Sequence, residues 1–232
     1  MLETQNNYLL SVLDLILPRF CCSCKTKLKS TDKSICSNCL MNIEEIDDSR
    51  LLYEFNKKFS DNKIISDFFA PYLFEKDKEL QQAIHSLKYE NKFRVGIYLG
   101  EMIAKKIIER RPHWKFDIII PIPLHKLKET ERGYNQSYFI AKGINRILGT
   151  KFNKSIVKRS KYTESQTTLT FIERKENMDG AFTVKNKKAV SEKIILLVDD
   201  VITTGATMSE CGKVLLESGA EKILAASIAI AD

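Results

Sequence analysis

The apolar positions change period several times along the chain. Leu9, Leu10, Leu13 and Leu17 fall at helical spacing and predict a short amphipathic helix over 5–17, stopped by Pro18. Its polar face lacks the Lys and Arg that interfacial helices use, so packing onto the main domain is favoured over a membrane surface. Residues 44–66 are polar and charged and read as a connector with some helix. From Phe68 onward, strand and helix signals alternate. Leu80–Leu87 and Val95–Ile108 are helical by apolar spacing. Asp117–Ile122 is a short apolar run punctuated by Pro121 and Pro123 and reads as a buried strand. Tyr138–Leu148 is helical and ends at Gly149. Residues 155–183 are polar, with short strand-like pieces. Ile194–Val198 is a second wholly apolar strand, Thr207–Glu217 a helix stopped by Gly219, and Ile223–Ile230 a last strand. Repeated strand–helix units with continuously apolar strands predict an α/β fold, a parallel sheet flanked by helices.

Charge adds location to this picture. The 232 residues carry 37 Lys+Arg and 30 Asp+Glu, a net charge of +7. Residues 1–50 hold 6 basic and 7 acidic side chains, whereas residues 121–175 hold 12 basic and 4 acidic. The excess therefore sits in one stretch, which favours a phosphate-bearing partner there. The hydrophobic fraction of 44% excludes a disordered or low-complexity chain. The apolar run Leu9–Leu17 is interrupted by Asp14 and is far short of the ~20 residues a transmembrane helix needs. With no secretory signal pattern, the expected location is the cytoplasm or the periphery of the inner membrane.

Five of the six cysteines crowd into residues 21–39. Cys21-x-x-Cys24 and Cys36-x-x-Cys39 are separated by 11 residues. Four thiolates from two tight turns can close a tetrahedron around Zn²⁺ with Zn–S of about 2.3 Å. In a reducing compartment metal is favoured over disulfides. Such a site has no open position, so its expected role is structural, supplying the folding energy of a module too small to bury a core. Cys22 reads as a spare or buried thiol. Cys211, in an apolar helical pattern with no adjacent base, reads as core. These patterns divide the chain into an N-terminal helix and zinc module over 1–45, a connector over 46–67, and an α/β domain over 68–232.

The stretch from Ile194 to Thr207 carries the most chemistry. A buried strand delivers Asp199 and Asp200, and Thr203, Thr204, Gly205, Ala206 and Thr207 then open a helix. Small residues at a helix start offer backbone N–H groups, hydroxyls and the positive dipole end to a phosphate. Like charge keeps the two carboxylates from a phosphate, so they suit hydroxyls or a bridging metal. A Walker B strand is excluded by the lack of any GxxxxGK[ST] segment. A receiver-domain acidic pocket belongs near the start of its domain, not 33 residues from the end of the chain.

LLVDDVITTGAT resembles the phosphoribosyl-pyrophosphate (PRPP) motif of type I phosphoribosyltransferases. Pro121-Ile-Pro-Leu124 followed by Glu131-Arg-Gly-Tyr-Asn-Gln136 is similar to the PVPL…ERGFNQ signature of the ComF family of phosphoribosyltransferase-like competence proteins. Gln166, Leu169, Arg174, Asn177 and Gly180-Ala-Phe182, Leu87-Lys-Tyr89, and the four cysteines after Pro18-Arg19 resemble further segments of that family, in order. The resemblance implies a type I phosphoribosyltransferase-like fold over 68–232. It also implies PRPP as ligand, with Asp199 and Asp200 on the ribose hydroxyls and Thr203–Thr207 on the 5-phosphate. The segment 121–132, with Lys128 and Arg132, would be the pyrophosphate loop, and Mg²⁺ would bridge pyrophosphate and ribose. Lys128 stands where the family often has Arg, which exchanges a bidentate fork for a point charge. Region 158–178, with Lys158, Arg159, Lys161, Arg174 and Lys175, would be a mobile hood.

The family association with DNA uptake implies single-stranded DNA and proteins of the uptake machinery as partners. Tyr134, Tyr138, Phe152, Tyr162 and Phe171 are candidate stacking rings, although core packing explains a single ring as well. Three readings stand open. The chain is a ComF-type protein of natural transformation, with or without phosphoribosyl transfer, or a metabolic phosphoribosyltransferase, or a non-catalytic binding module. No residue pattern identifies an acceptor base.

Overall fold

The computed structural model describes residues 17–60, 63–161 and 180–231. Its elements are α1 (Ser37–Met41), α2 (Asp48–Phe59), β1 (Asp67–Phe69), β2 (Tyr72–Leu73), α3 (Glu79–Tyr89), α4 (Phe93–Arg110), β3 (Ile118–Pro121), α5 (Lys126–Arg132), α6 (Gln136–Leu148), β4 (Lys151–Phe152), β5 (Val157–Arg159), β6 (Phe182–Val184), β7 (Ile194–Ile202), α7 (Ala206–Glu217) and β8 (Lys222–Ile230). The helix expected over 5–17 lies outside the described residues, apart from Leu17.

The main sheet has the order β1-β8-β7-β3-β4, with β2 continuing along β8, and its pairings are parallel. Apolar strands dictate this arrangement. Ile195–Val198, Ile118–Ile120 and Ile223–Ile230 are buried throughout, so these strands need cover on both faces. Helices α4 and α6 pack on each other and onto β3, β7 and β8, and α7 packs onto β7 and β8. The α4–α6 crossing is close because glycines meet there. A Cβ on Gly100 would lie 2.1 Å from the Ile140 carbonyl oxygen, and one on Gly143 2.1 Å from that of Ile97.

Two segments depart from the sequence expectation. Strand β7 runs past Val198 to Ile202, and Asp199 is in register with Ser227 of β8. Pairing with a long apolar partner carries the backbone through two carboxylates that local pattern treats as the strand's end. The segment 121–132 is not all loop: Lys126–Arg132 forms α5, closed by Gly133 in a left-handed conformation. The helix expected within the connector is the twelve-residue α2, capped by Asp47, which accepts from the Arg50 N–H. Its buried Glu54 is held between Arg50 (2.9 Å) and Lys58 (3.2 Å), and Lys58 also donates to the Ala231 carbonyl.

The cysteine segment docks on the start of α3 and on α4. Ser23 Oγ donates to the Glu79 carbonyl at 2.9 Å, and Asn42 donates to the Glu79 carboxylate at 3.0 Å. Lys25 pairs with Glu90 and Lys33 with Glu101. Cys22 is buried against this face, and burial pushes its thiol up to about 11.

Candidate functional site

In this sheet the connections run outward from β3 to β4 and in the other direction from β7 to β8. A crevice therefore opens beyond the carboxyl ends of β3 and β7, the position where open α/β sheets bind ligands. Asp199 and Asp200 stand on the β7 side of it. Asp199 Oδ1 accepts from Ser137 Oγ (2.8 Å) and from the Asp200 N–H (2.9 Å). Burial, reinforced by the neighbouring Asp200 carboxylate, pushes Asp199 up from the ordinary aspartate range to about 6. Asp200 Oδ1 accepts from the Val201 N–H, and Oδ2 is ion-paired to Lys88 at 2.9 Å.

The loop after β7 is shaped from below. Gly205 has φ of +77°, and a Cβ there would meet the Phe59 ring of α2 at 2.6 Å. Glycine is thus required twice, by conformation and by contact. Asp199 and residues 201–208 line one small concavity, so the five small residues curl around a single point ahead of α7. Helix α7 is long enough, at 12 residues, to present a dipole end there.

The segment after β3 is locked onto that crevice by consecutive residues. Arg132 donates to Gln136 Oε1 (3.0 Å) and lies over the Tyr89 ring, 5.5 Å from its centroid. Tyr134 OH donates to the Leu87 carbonyl. Asn135 caps α6 by accepting from the Ser137 N–H, and its amide donates to the Ile122 carbonyl at 2.8 Å. Ser137 then reaches Asp199. Gln136 is buried. The motif thus fixes the chain geometrically, and the segment presents the cations Lys126, Lys128 and Arg132 beside the exposed Glu129 and Glu131. Lys128 is half-buried on α5.

A groove of about 440 Å³ lies beside this segment, with Lys126, Lys154, Lys158, Arg159 and Lys185 around Tyr134 and Tyr138. Lys158 and Arg159 come from β5, which pairs antiparallel with β6. Arg159 lies over the Phe182 ring at 5.5 Å, and Lys154 over Tyr138 at 4.8 Å. Tyr134, Tyr138 and Phe152 join a cluster of rings with Phe139 and Phe93. Tyr134, Tyr138 and Phe139 therefore pack and border the groove at once, whereas Phe152 and Phe93 pack behind them. Lys161 is exposed. Arg174, Lys175, Tyr162, Phe171, Gln166, Leu169 and Asn177 lie outside the described residues.

The four cysteines converge. The sulfurs of Cys21, Cys24, Cys36 and Cys39 lie within 4.8 Å of one another, and Cys24 and Cys36 are 3.7 Å apart. A tetrahedral Zn²⁺ with four thiolates requires about 3.8 Å between sulfurs. The Cys36 N–H points at Cys21 Sγ (3.3 Å), the kind of contact that stabilises thiolate charge. The cluster is compatible with a structural metal. Cys211 is buried on α7, and burial raises its thiol, which agrees with a core role. Among the described residues, no helix is long and apolar enough to cross a membrane.

Two residues at the site were missed by sequence reasoning. Ser137 follows the recognised motif, and Lys88 lies within the recognised Leu87-Lys-Tyr89 without a role. Neither has a local signal, since each acts on a carboxylate more than 60 positions away.

A family model described as the phosphoribosyl transferase domain matches residues 134–231. Competence protein F of Haemophilus influenzae is 34% identical over 144 residues, covering 60% of this chain and 63% of that protein. Competence protein ComFC of Bacillus subtilis is 27% identical over 217 residues, covering 87% of this chain and 79% of that one. The chain is thus similar to curated competence proteins over most of its length, and its carboxyl-terminal part matches a phosphoribosyl transferase domain. DNA utilization protein YhgH of Escherichia coli O6:H1 is 29% identical over 147 residues. The matched region spans 63% and 64% of the lengths of the Haemophilus and Escherichia proteins. The phosphoribosyltransferase-like fold expected from the sequence agrees with the parallel sheet flanked by helices and with the domain match over residues 134–231.

Proposed function

We propose that this protein is of the ComF type, that it binds PRPP with Mg²⁺ at the carboxyl ends of β3 and β7, and that it acts in handling single-stranded DNA during uptake. The observation that carries the first half is the pair of carboxylates beside the glycine-pinned loop at the carboxyl end of β7, with Arg132 linked to them through Tyr89 and Lys88 at the end of α3. Asp199 and Asp200 suit the ribose hydroxyls, and Thr203–Thr207 with the start of α7 suits the 5-phosphate. Arg132 and Lys128 suit the pyrophosphate. Mg²⁺, a hard cation that takes oxygen ligands, would bridge pyrophosphate to ribose and neutralise the leaving group. Ser137 keeps Asp199 oriented, and the basic side chains around the crevice favour departure of a pyrophosphate if transfer occurs.

The second half rests on the relatives' names and on the groove. Five cations around half-exposed rings suit a sugar-phosphate backbone with stacked bases. That groove favours DNA handling over a purely metabolic transferase, for which a small acceptor pocket is needed. Lys158 and Arg159 are its proposed contacts, and Lys161 and Arg174 are further candidates from the sequence. Cys21, Cys24, Cys36 and Cys39 hold a structural Zn²⁺ in this reading. Residues 1–45 form the zinc-bearing part, 46–67 the connector and 68–232 the ligand-binding domain, in the cytoplasm or at the inner-membrane periphery, where uptake proteins are candidate partners.

The test is a thermal shift. PRPP with Mg²⁺ raises Tm by binding the folded state, and Asp199→Ala with Asp200→Ala removes the rise. No rise in the parent protein refutes the site. Transformation efficiency of a deletion strain, complemented by the parent or by the double variant, separates DNA uptake from metabolism.

A further inference from the structure

The three residues Leu87, Lys88 and Tyr89 close helix α3, and each touches a different part of the crevice. The Leu87 carbonyl accepts the Tyr134 hydroxyl, which ties the helix end to the segment after β3. The Tyr89 ring lies under Arg132. Lys88 reaches across to Asp200 of β7, its Nζ 2.9 Å from Oδ2, with side chains 22% and 13% exposed. One turn of helix therefore connects a candidate ribose carboxylate to the candidate pyrophosphate arginine.

Lys88 does not behave as a surface ion pair. It is largely shielded, it comes from an element far along the chain, and its partner is a carboxylate that a ribose or a metal must use. An ammonium and a bridged ribose compete for Asp200 Oδ2, so ligand entry must displace one of them. A lysine is a compact charge on a flexible four-carbon stem, suited to exchanging one anion for another. The diphosphate of PRPP brings more negative charge than a single carboxylate, and Arg132, beside Tyr89, marks where it would lie. Desolvation in the crevice strengthens both interactions.

We propose that Lys88 is a ligand for the diphosphate of a 1-diphosphorylated ribose, held on Asp200 while the crevice is empty and transferred to the diphosphate when the ligand enters. The inference rests on the PRPP reading. In the empty protein Lys88 offsets the repulsion between Asp199 and Asp200. In the loaded protein it frees Asp200 for the sugar and adds a cation at the leaving group.

The test compares three probes with Mg²⁺ by titration calorimetry: PRPP, inorganic pyrophosphate, and ribose 5-phosphate. The variants are Lys88→Met, Lys88→Arg and Asp200→Asn. A charge-assisted hydrogen bond lost from a shielded site weakens binding about tenfold or more. Lys88→Met is expected to lose about that factor for PRPP and pyrophosphate while ribose 5-phosphate stays within about twofold. Asp200→Asn is expected to show the opposite split, weakened for ribose 5-phosphate and retained for pyrophosphate. Lys88→Arg restores part of the pyrophosphate affinity.

Unchanged pyrophosphate binding in Lys88→Met overturns the proposal. So does a uniform loss of all three probes in both Lys88→Met and Asp200→Asn, because a merely structural ion pair gives that result. If the parent protein binds none of the probes, the PRPP reading falls and Lys88 with it. If the parent binds all three and Lys88→Met matches it, only the role of Lys88 falls.

Discussion

The crevice and the cysteine segment are held together by different physics. At the crevice, every functional group hangs from buried apolar strands or from helices packed on them, so the carboxylates and the loop inherit the rigidity of a large core. The cysteine segment has one five-residue helix, a few buried residues and four converging sulfurs. It meets the sheet domain through a few buried side chains such as Cys22, Leu28 and Ile35, a handful of hydrogen bonds and partly exposed ion pairs. The core can therefore carry strain and unfavourable charge for the sake of a site, whereas the cysteine segment depends on what its sulfurs bind.

The largest expected effect is on the weaker region. If Zn²⁺ supplies most of its folding energy, on the order of 10 kcal/mol in small zinc modules, then Cys36→Ser with Cys39→Ser leaves residues 17–42 open to protease. Metal analysis of the variant shows zinc lost. The PRPP-induced rise in Tm survives, because the crevice is built on separate strands. Loss of that rise would join the two regions energetically and break the contrast drawn here.

Next in size is Gly205→Ala. The left-handed conformation costs about 1–2 kcal/mol for a residue with a Cβ, and the Phe59 ring 2.6 Å away adds overpacking of about 1–3 kcal/mol. Urea unfolding reads the sum as a lower midpoint. A second substitution, Phe59→Leu, recovers only the overpacking part, since the backbone cost remains.

Asp199→Asn is smaller and of opposite sign. Folded Asp199 keeps its proton to about 6, whereas an unfolded aspartate loses it near its ordinary value of 3.8. Between those values the native state binds more protons, so its stability falls as pH rises through the window and stays reduced above it. Asparagine keeps an acceptor for Ser137 and carries no charge. Its Tm is expected to exceed the parent's by roughly 2–5 °C at pH 7.5, with the difference vanishing near pH 4, while PRPP binding is lost. Identical pH profiles for the two proteins would mean that the crevice stores no electrostatic strain.

The smallest effect belongs to the exposed pairs. Lys25→Ala and Lys33→Ala each remove one ion pair with at least one largely exposed partner. Each costs at most about 1 kcal/mol, and less in salt.

Much of this was legible in residue order. Period-free apolar runs at Ile194–Val198 and Ile223–Ile230 announced buried parallel strands, because only strands covered on both faces are apolar at every position. The Asp199-Asp200 pair followed by small residues announced a ligand loop, and the two CxxC pairs announced a converging set of sulfurs. The continuation of β7 through the aspartates was not legible, since it comes from pairing with β8. Helix α5 was not legible either, since a short charged stretch between prolines carries no apolar period.

What the amino-acid sequence determined alone was what each segment can do locally: which runs must be buried, which loop can curl, which side chains carry charge. What only the tertiary structure decided was which of them meet. Lys88 and Asp200 are 112 positions apart, and Ser137 and Asp199 62 apart, yet each pair lies within 3 Å. Phe59, from a segment that reads as a polar connector, sets the floor beneath Gly205. Periodicity reports on neighbours within a few residues, whereas these contacts depend on how the strands are ordered in the sheet.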